Sequence, residues 1–139
     1  MTILERKGHA VVTLQDNGSV SDAVRLLRQH NIGALVVVDA TGKVVGITSE
    51  RDVVRQLADG GGSVLGQPIA TCMTAKPHVA GSETTIDEVM AMMTKFRIRH
   101  LPVVDNGRLS GIISIGDVVK LKIETTEAER SALMDYIAG

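Results

Sequence analysis

Asn31 Ile32 Gly33 Ala34 Leu35 Val36 Val37 Val38 Asp39 is followed by Gly46 Ile47 Thr48 Ser49 Glu50 Arg51 Asp52 Val53 Val54, and both stretches recur later in the chain. Arg97 Ile98 Arg99 His100 Leu101 Pro102 Val103 Val104 Asp105 lies 66 positions after the first. Gly111 Ile112 Ile113 Ser114 Ile115 Gly116 Asp117 Val118 Val119 lies 65 positions after the second. The one-residue difference falls between two turn segments, 39–43 and 105–108, where a hairpin tolerates a change of length. A duplication this ordered, covering nearly the whole chain, means that the fold is two copies of one unit.

Outward from these stretches, each copy reads the same way. A short extended segment (10–14; 78–80) precedes an amphipathic helix. In the first helix Val20, Ala23, Val24 and Leu27 recur at helical spacing behind Ser19 or Ser21; in the second, Ile86, Val89, Met90 and Met93 do so behind Thr84 or Thr85. Two strands then meet at a turn, 34–38 with 44–48 and 101–104 with 109–114. A closing helix begins near Ser49 or Ser114 and runs through Val53, Val54 and Leu57, or through Val118, Val119 and Leu121. The order is β-α-β-β-α, which places the protein in the α+β class. A unit of about 60 residues buries too little surface to be comfortable alone, so the two are expected to pack together, sheet against sheet with helices outside.

The first repeat is assigned to residues 8–70, with a linker from about residue 58, the second to 71–122, and a C-terminal helix to 123–139. Gly60 Gly61 Gly62, Gly66 and Pro68 make 58–74 read as a flexible loop. The tail sets Ala128, Leu133, Tyr136 and Ile137 at roughly helical intervals among Glu124, Glu127, Glu129 and Arg130. It either caps its own chain or a twin, or offers a docking surface to another protein.

Composition narrows the function. The 139 residues carry fifteen Lys and Arg against sixteen Asp and Glu, a net charge of -1, and their only aromatics are Phe96 and Tyr136. Proteins that hold nucleic acid by neutralising phosphates carry a basic surplus, and readers of single strands supply several stacking rings; nucleic acid is therefore not the expected partner, although a local basic groove is compatible with these numbers. Cys72 is alone, so no internal disulfide forms. Glu5, Arg6 and Lys7 stand where a secretory leader needs apolar residues, and no uncharged run approaches the roughly 18 residues of a membrane span. A cytoplasmic protein without membrane contact is expected.

Enzyme readings fail on particular residues. In Gly60 Gly61 Gly62 Ser63 Val64 Leu65 Gly66, Leu65 occupies the place of the third glycine of a dinucleotide fingerprint. Gly61 and Gly66 have the separation of a phosphate loop, but Gln67 Pro68 replaces the Lys and Ser or Thr that it needs. His9, His30, His78 and His100 are scattered singly, without partners at metal-ligand spacing. Cys72 reads as a small buried hydrophobe rather than a nucleophile, and Met90, Met92 and Met93 as adaptable core filling.

The near-duplicate Gly-hydrophobic-x-Ser-x-x-Asp segments (Gly46 to Asp52; Gly111 to Asp117), the Ile-x-x-Leu-x-Val-Val-Asp strands before them, and Met73 Thr74 opening the second repeat together resemble the cystathionine β-synthase (CBS) domain pair, or Bateman module, over residues 8–122. The resemblance implies two pseudosymmetric repeats enclosing two clefts that bind adenosine-containing ligands, and dimers of such pairs that form a flat disc.

From spacing alone, Ser49 with Asp52 and Ser114 with Asp117 are helix caps with a reciprocal acid at the third position. The resemblance adds that Asp52 and Asp117 hold ribose while Ser49 and Ser114 approach ribose or phosphate; the two roles are compatible. It further implies that Ile47 and Ile112 sandwich the purine, that Val12, Thr13, Ile32, Gly33 and Ala34 close the first cleft, and that His78, Val79, Arg99, His100, Leu101 and Pro102 take the corresponding places in the second. The repeats differ in charge: Gly33 Ala34 becomes Arg99 His100, and Glu50 Arg51 becomes Ile115 Gly116. Arg51 can grip phosphate in one cleft and Arg99 in either or both, or Arg97 and Arg99 are a solvated strand end. The two sites are accordingly expected to be unequal. The function implied is a non-catalytic sensor, a homodimer that binds AMP, ADP, ATP or NAD without a catalytic cofactor and signals to a separate effector protein; S-adenosylmethionine is a further possible ligand. The alternative is a structural interaction module whose Ser and Asp residues are only caps.

Overall fold

The computed structural model describes residues 11–138; Ala10, His9 and the N-terminal charges considered above lie outside them. The first repeat comprises β1 (Thr13–Gln15), α1 (Val20–His30), β2 (Ala34–Val38), β3 (Val44–Ser49) and α2 (Glu50–Gly60). After two short 3-10 helices, Gly61–Gly66 and Ile69–Thr71, come β4 (Thr74–Ala75), α3 (Ile86–Phe96), β5 (His100–Asp105), β6 (Arg108–Ser114) and α4 (Ile115–Ala138).

Local chemistry sets these boundaries. Ser19, Ser49 and Thr85 each accept a hydrogen bond from the backbone N–H three residues on, while the acid at that position, Asp22, Asp52 or Glu88, reaches back to the cap. Ser21 and Thr84 are not the caps; the Thr84 hydroxyl instead accepts from the Gly81 N–H at 2.9 Å. α1 and α3 end on left-handed residues at matching places, Asn31 (φ 51°) and Arg97 (φ 54°). The second hairpin turns on Asn106 (φ 52°) and Gly107 (φ 76°), the pair of positive φ values that a two-residue type I′ turn requires. The longer first turn is held by the Asp39 carboxylate, which accepts from the Thr41 N–H, the Thr41 hydroxyl and the Lys43 N–H.

The duplication is visible bond by bond. The Glu50 N–H donates to the Gly33 carbonyl at 2.9 Å, and the Ile115 N–H donates to the Arg99 carbonyl at 2.8 Å. Bulges interrupt β2 against β3 at Val37/Val38 and β5 against β6 at Val103/Val104. The copies differ at their leading strands. β1 pairs in parallel with β2, whereas the extended segment expected at 78–80 is reduced to a single parallel bridge, Ala80 to Val103.

The sheets are β1-β2-β3-β4 and β5-β6. β4, at the opening of the second repeat, therefore completes the first repeat's sheet, with Thr74 opposite Ile47 and Ala75 opposite Gly46. Gly46 must be glycine here, because a Cβ would collide with the Met73 sulfur and come within 3.1 Å of the Thr74 carbonyl oxygen. Along β2, Leu35 and Val37 point into a core with Val20, Ala23, Leu27 and Val53. Leu101, Val103 and Ile113 do the same with Val89, Met93 and Val118. Alternation turns Val36 and Pro102 to the opposite faces, and both are fully buried there. The sheets turn these faces toward one another, with the helices outside.

Four expectations are revised. The glycine-rich stretch is ordered rather than a flexible loop: it forms 3-10 turns, and Val64, Ile69 and Cys72 enter the first core. Burying those side chains outweighs the glycines' backbone freedom. The closing helix of the second repeat and the tail are one helix of 24 residues, since neither Gly nor Pro interrupts residues 117–138. The tail does not cap its own chain, because residues 125–137 are all exposed. Among the methionines Met93 is core and Met92 packs against it, but Met90 is exposed.

Thr48 is fully buried beside Leu35, and its hydroxyl has no hydrogen-bond partner among the described residues. The matching position in the second repeat is the apolar Ile113. An orphaned buried hydroxyl costs about 1–3 kcal/mol. Thr48→Val is expected to raise the unfolding free energy by about 1 kcal/mol, read from the midpoint shift in chemical denaturation; a loss of stability would show that the hydroxyl is satisfied.

Candidate functional site

A cleft of about 380 Å³ lies between the repeats. Ile47, Ser49, Glu50, Arg51, Asp52 and Arg55 line it from the β3–α2 junction, Gly33 from the start of β2, and Thr74 from β4. Arg97, Ile98, Arg99 and His100, the residues entering β5, form the opposite side.

The Ser49–Asp52 pair is built for two tasks. One carboxylate oxygen, Oδ2, accepts from the Ser49 N–H at 2.9 Å and the Ser49 hydroxyl at 3.1 Å, and the Asp52 N–H donates to the Ser49 Oγ at 3.3 Å. The other, Oδ1, has among the described residues only the Arg55 guanidinium, at 3.8 Å and beyond hydrogen-bond range. The cap thus uses half of the carboxylate and leaves half turned to the cleft, able to accept from a pair of vicinal hydroxyls. Ser114 and Asp117 repeat the arrangement: Asp117 Oδ2 accepts from the Ser114 N–H and hydroxyl, both at 2.9 Å.

The cleft is rich in cations. Among the described residues, Arg51, Arg97 and Arg99 have exposed side chains and form no ion pair, and Arg55 has only its long approach to Asp52. Four guanidinium groups face two carboxylates, so the cleft suits an anion. Arg97 reaches it from the left-handed residue that ends α3. That conformation costs an L-residue roughly 1–2 kcal/mol, less for Asn, which holds the same place in the first repeat. At Gly33 the chain comes close to His100: a Cβ there would lie 3.5 Å from the imidazole Nε2.

Of the residues singled out from the sequence, Gly33, Ile47, Ser49, Arg51, Asp52, Arg97, Arg99 and His100 meet in this cleft. Arg99, expected in either cleft or both, and His100, set with the second cleft by the resemblance, line this one with the Ser-Asp end of the first repeat. Ala34 is buried, Ile32 packs against the first core, and Val12 and Thr13 stand at the β1 edge. Leu101 points into the second core and Pro102 is buried, so neither offers a free side chain. Ile112 pairs with Pro102, Val79 is exposed, and His78 stacks on Phe96 with ring centroids 3.6 Å apart. Gly116 opens a separate shallow groove along α4. The sequence reading missed Glu50, Arg55, Thr74 and Ile98. Arg55, one turn after Asp52 on the same helix face, was recoverable from spacing; Thr74 was not, because its place depends on β4 joining the first sheet.

Comparison with known proteins decides the family. The CBS domain model matches residues 8–59 and 69–124. The chain belongs to the CBS domain family. It is 37% identical, over 125 residues, to the mitochondrial CBS domain-containing protein CBSX3 of Arabidopsis thaliana, covering 87% of this chain and 61% of that protein's length. The structure of a CBS-domain containing protein from Agrobacterium tumefaciens superposes with a TM-score of 0.82 at 47% identity, covering 86% of this chain and 95% of that one. The CBS domain pair of protein MJ0100, solved with 5'-methylthioadenosine and S-adenosyl-L-methionine, gives a TM-score of 0.81 at 29% identity, covering 90% and 98%. CBS pairs are regulatory modules.

Cys72 lies 7% exposed in the first core. Burial, and secondarily the Asp52 charge, pushes its thiol above the ordinary range. The neutral thiol favoured in the fold contributes stability that is lost as pH rises through the thiol range, and it is a poor nucleophile. Alkylation by iodoacetamide at pH 8 is expected to be at least about tenfold slower in the folded protein than in denaturant; equal rates would place the thiol at the surface.

Proposed function

We propose that this CBS pair is a non-catalytic sensor acting in the cytoplasm, and that it binds an adenosine-containing ligand, AMP, ADP, ATP or NAD, in the cleft between its repeats. The observation that carries the reading is the half-free carboxylate of Asp52, standing beside Ser49 and Ile47 and facing unpaired arginines across the cleft. The carboxylate suits ribose hydroxyls, Ile47 a purine face, and the guanidinium groups a phosphate. The adenosine compounds held by the MJ0100 pair support the same ligand class. A ligand gripping both repeats favours whichever arrangement sets their contacts closest, and so shifts the equilibrium between arrangements. The Ser114–Asp117 pair would serve a second, weaker site, because Gly116 replaces Arg51 there.

The reading includes a homodimer and an effector protein. Ile115, Val119 and Ile123 lie four apart along α4 and are about half exposed. Val54, the counterpart of Val119, is exposed on α2. Lys120 and Glu124 flank the α4 groove, so an antiparallel second copy brings opposite charges together. The exposed end of α4, with Leu133, Met134, Tyr136 and Ile137, is the surface offered to the effector.

In calorimetric titration of ligand-stripped protein with AMP, ATP, NAD and S-adenosylmethionine, Asp52→Asn is expected to weaken binding about tenfold or more while the protein stays folded. If no ligand binds the unmodified protein, the interaction-module reading takes its place. The double variant Val119→Glu/Ile123→Glu is expected to sediment as a monomer where the unmodified chain sediments as a dimer; an unchanged dimer would locate the interface elsewhere.

A further inference from the structure

The cleft holds more positive charge than a nucleoside monophosphate uses. Arg51 and Arg99 line the cleft with Ser49 and His100, where a first phosphate would sit beyond the ribose held by Asp52, and Arg55 and Arg97 add two guanidinium groups, one from each repeat. Arg55 rises from α2 one turn beyond Asp52. Arg97 comes from the end of α3 in the second repeat, in a left-handed conformation that Asn or Gly takes at less cost. Its backbone N–H closes α3 on the Met93 carbonyl, but among the described residues its side chain has no ion pair or hydrogen bond that would account for an arginine at this position.

We propose that Arg55 and Arg97 are a clasp for the outer phosphates of the ligand, so that this cleft selects polyphosphates over a monophosphate and rejects a sulfonium cation. The inference rests on the reading that the cleft takes an adenosine ligand, and it adds the charge class of that ligand and two residues that choose it. Guanidinium groups on both sides suit the spread charge of a polyphosphate chain, which they can hold by bidentate hydrogen bonds. S-adenosylmethionine, with a sulfonium and an ammonium against one carboxylate, meets like charge in the same place. Because one arginine comes from each repeat, the outer phosphates tie the repeats together, which AMP does less well.

The test uses the full chain, titrated with adenosine, AMP, ATP, S-adenosylmethionine and inorganic tripolyphosphate, as the unmodified protein and as Arg97→Asn and Arg55→Gln. Arg97→Asn places the first repeat's own residue at the left-handed position, so it is expected to keep the fold, checked by its unfolding midpoint. The unmodified protein is expected to bind ATP about tenfold or more tightly than AMP, with S-adenosylmethionine weakest. Each substitution should cost ATP and tripolyphosphate about tenfold more than it costs AMP, and raised salt should narrow the ATP-to-AMP ratio. Equal affinities for ATP and AMP, or equal losses in the variants, overturn the clasp while AMP binding preserves the nucleotide reading. Tripolyphosphate binding that needs Arg97, with adenosine and AMP silent, supports the clasp and removes the adenosine reading. Silence from all five ligands overturns both.

Discussion

Val36 has no exposed surface, yet alternation along β2 turns it away from the helices that cover Leu35 and Val37. Pro102 holds the same position in β5. A sheet that is apolar on both faces cannot leave one of them in water, and each repeat has helices enough for one face only. The second face must be covered by the other repeat. That requirement brings the β3–α2 junction, with Ser49 and Asp52, opposite the entry to β5, with Arg97 to His100, and so creates a cleft that neither repeat has by itself. The strand β4 strengthens the union, since a residue pair from the start of the second repeat completes the first repeat's sheet.

The site illustrates how a folding device becomes a binding device. Four helix starts, at Ser19, Ser49, Thr85 and Ser114, are capped by the same reciprocal hydrogen bonds. Ser49 and Ser114 both follow strands whose inner faces look between the repeats, and beside Ser49 the Asp52 oxygen left over from the cap lines the cleft. Arg25 pairs with the remaining Asp22 oxygen at 3.0 Å, whereas Arg55 stays 3.8 Å from Asp52 and leaves that oxygen available. Duplication then allows the copies to diverge. Arg99 in place of Gly33 and Gly116 in place of Arg51 make two pseudosymmetric positions electrostatically different within nearly the same backbone.

Much of this architecture was legible in the residues because it depends on local chemistry. Helical spacing placed α1 and α3, the Asn106–Gly107 pair marked a tight hairpin, and the duplicated motif carried both the family and the Ser-Asp pairs. The failures have physical causes as well. Glycine content reports backbone freedom, and it gave no sign that Val64 and Ile69 would bury themselves and order the chain between the repeats. The tail's amphipathic spacing showed a helix but could not show that it continues α4 outward into solvent.

Order along the chain therefore determined the two-unit plan, the caps, the turns and the chemical character of the candidate binders, because each rests on contacts between residues a few positions apart. Tertiary structure alone decided which residues share a cleft. Arg97, Arg99 and His100 come to face Ser49 and Asp52, more than forty positions earlier in sequence, because two sheets must cover each other's apolar faces; no periodicity within either repeat records that crossing.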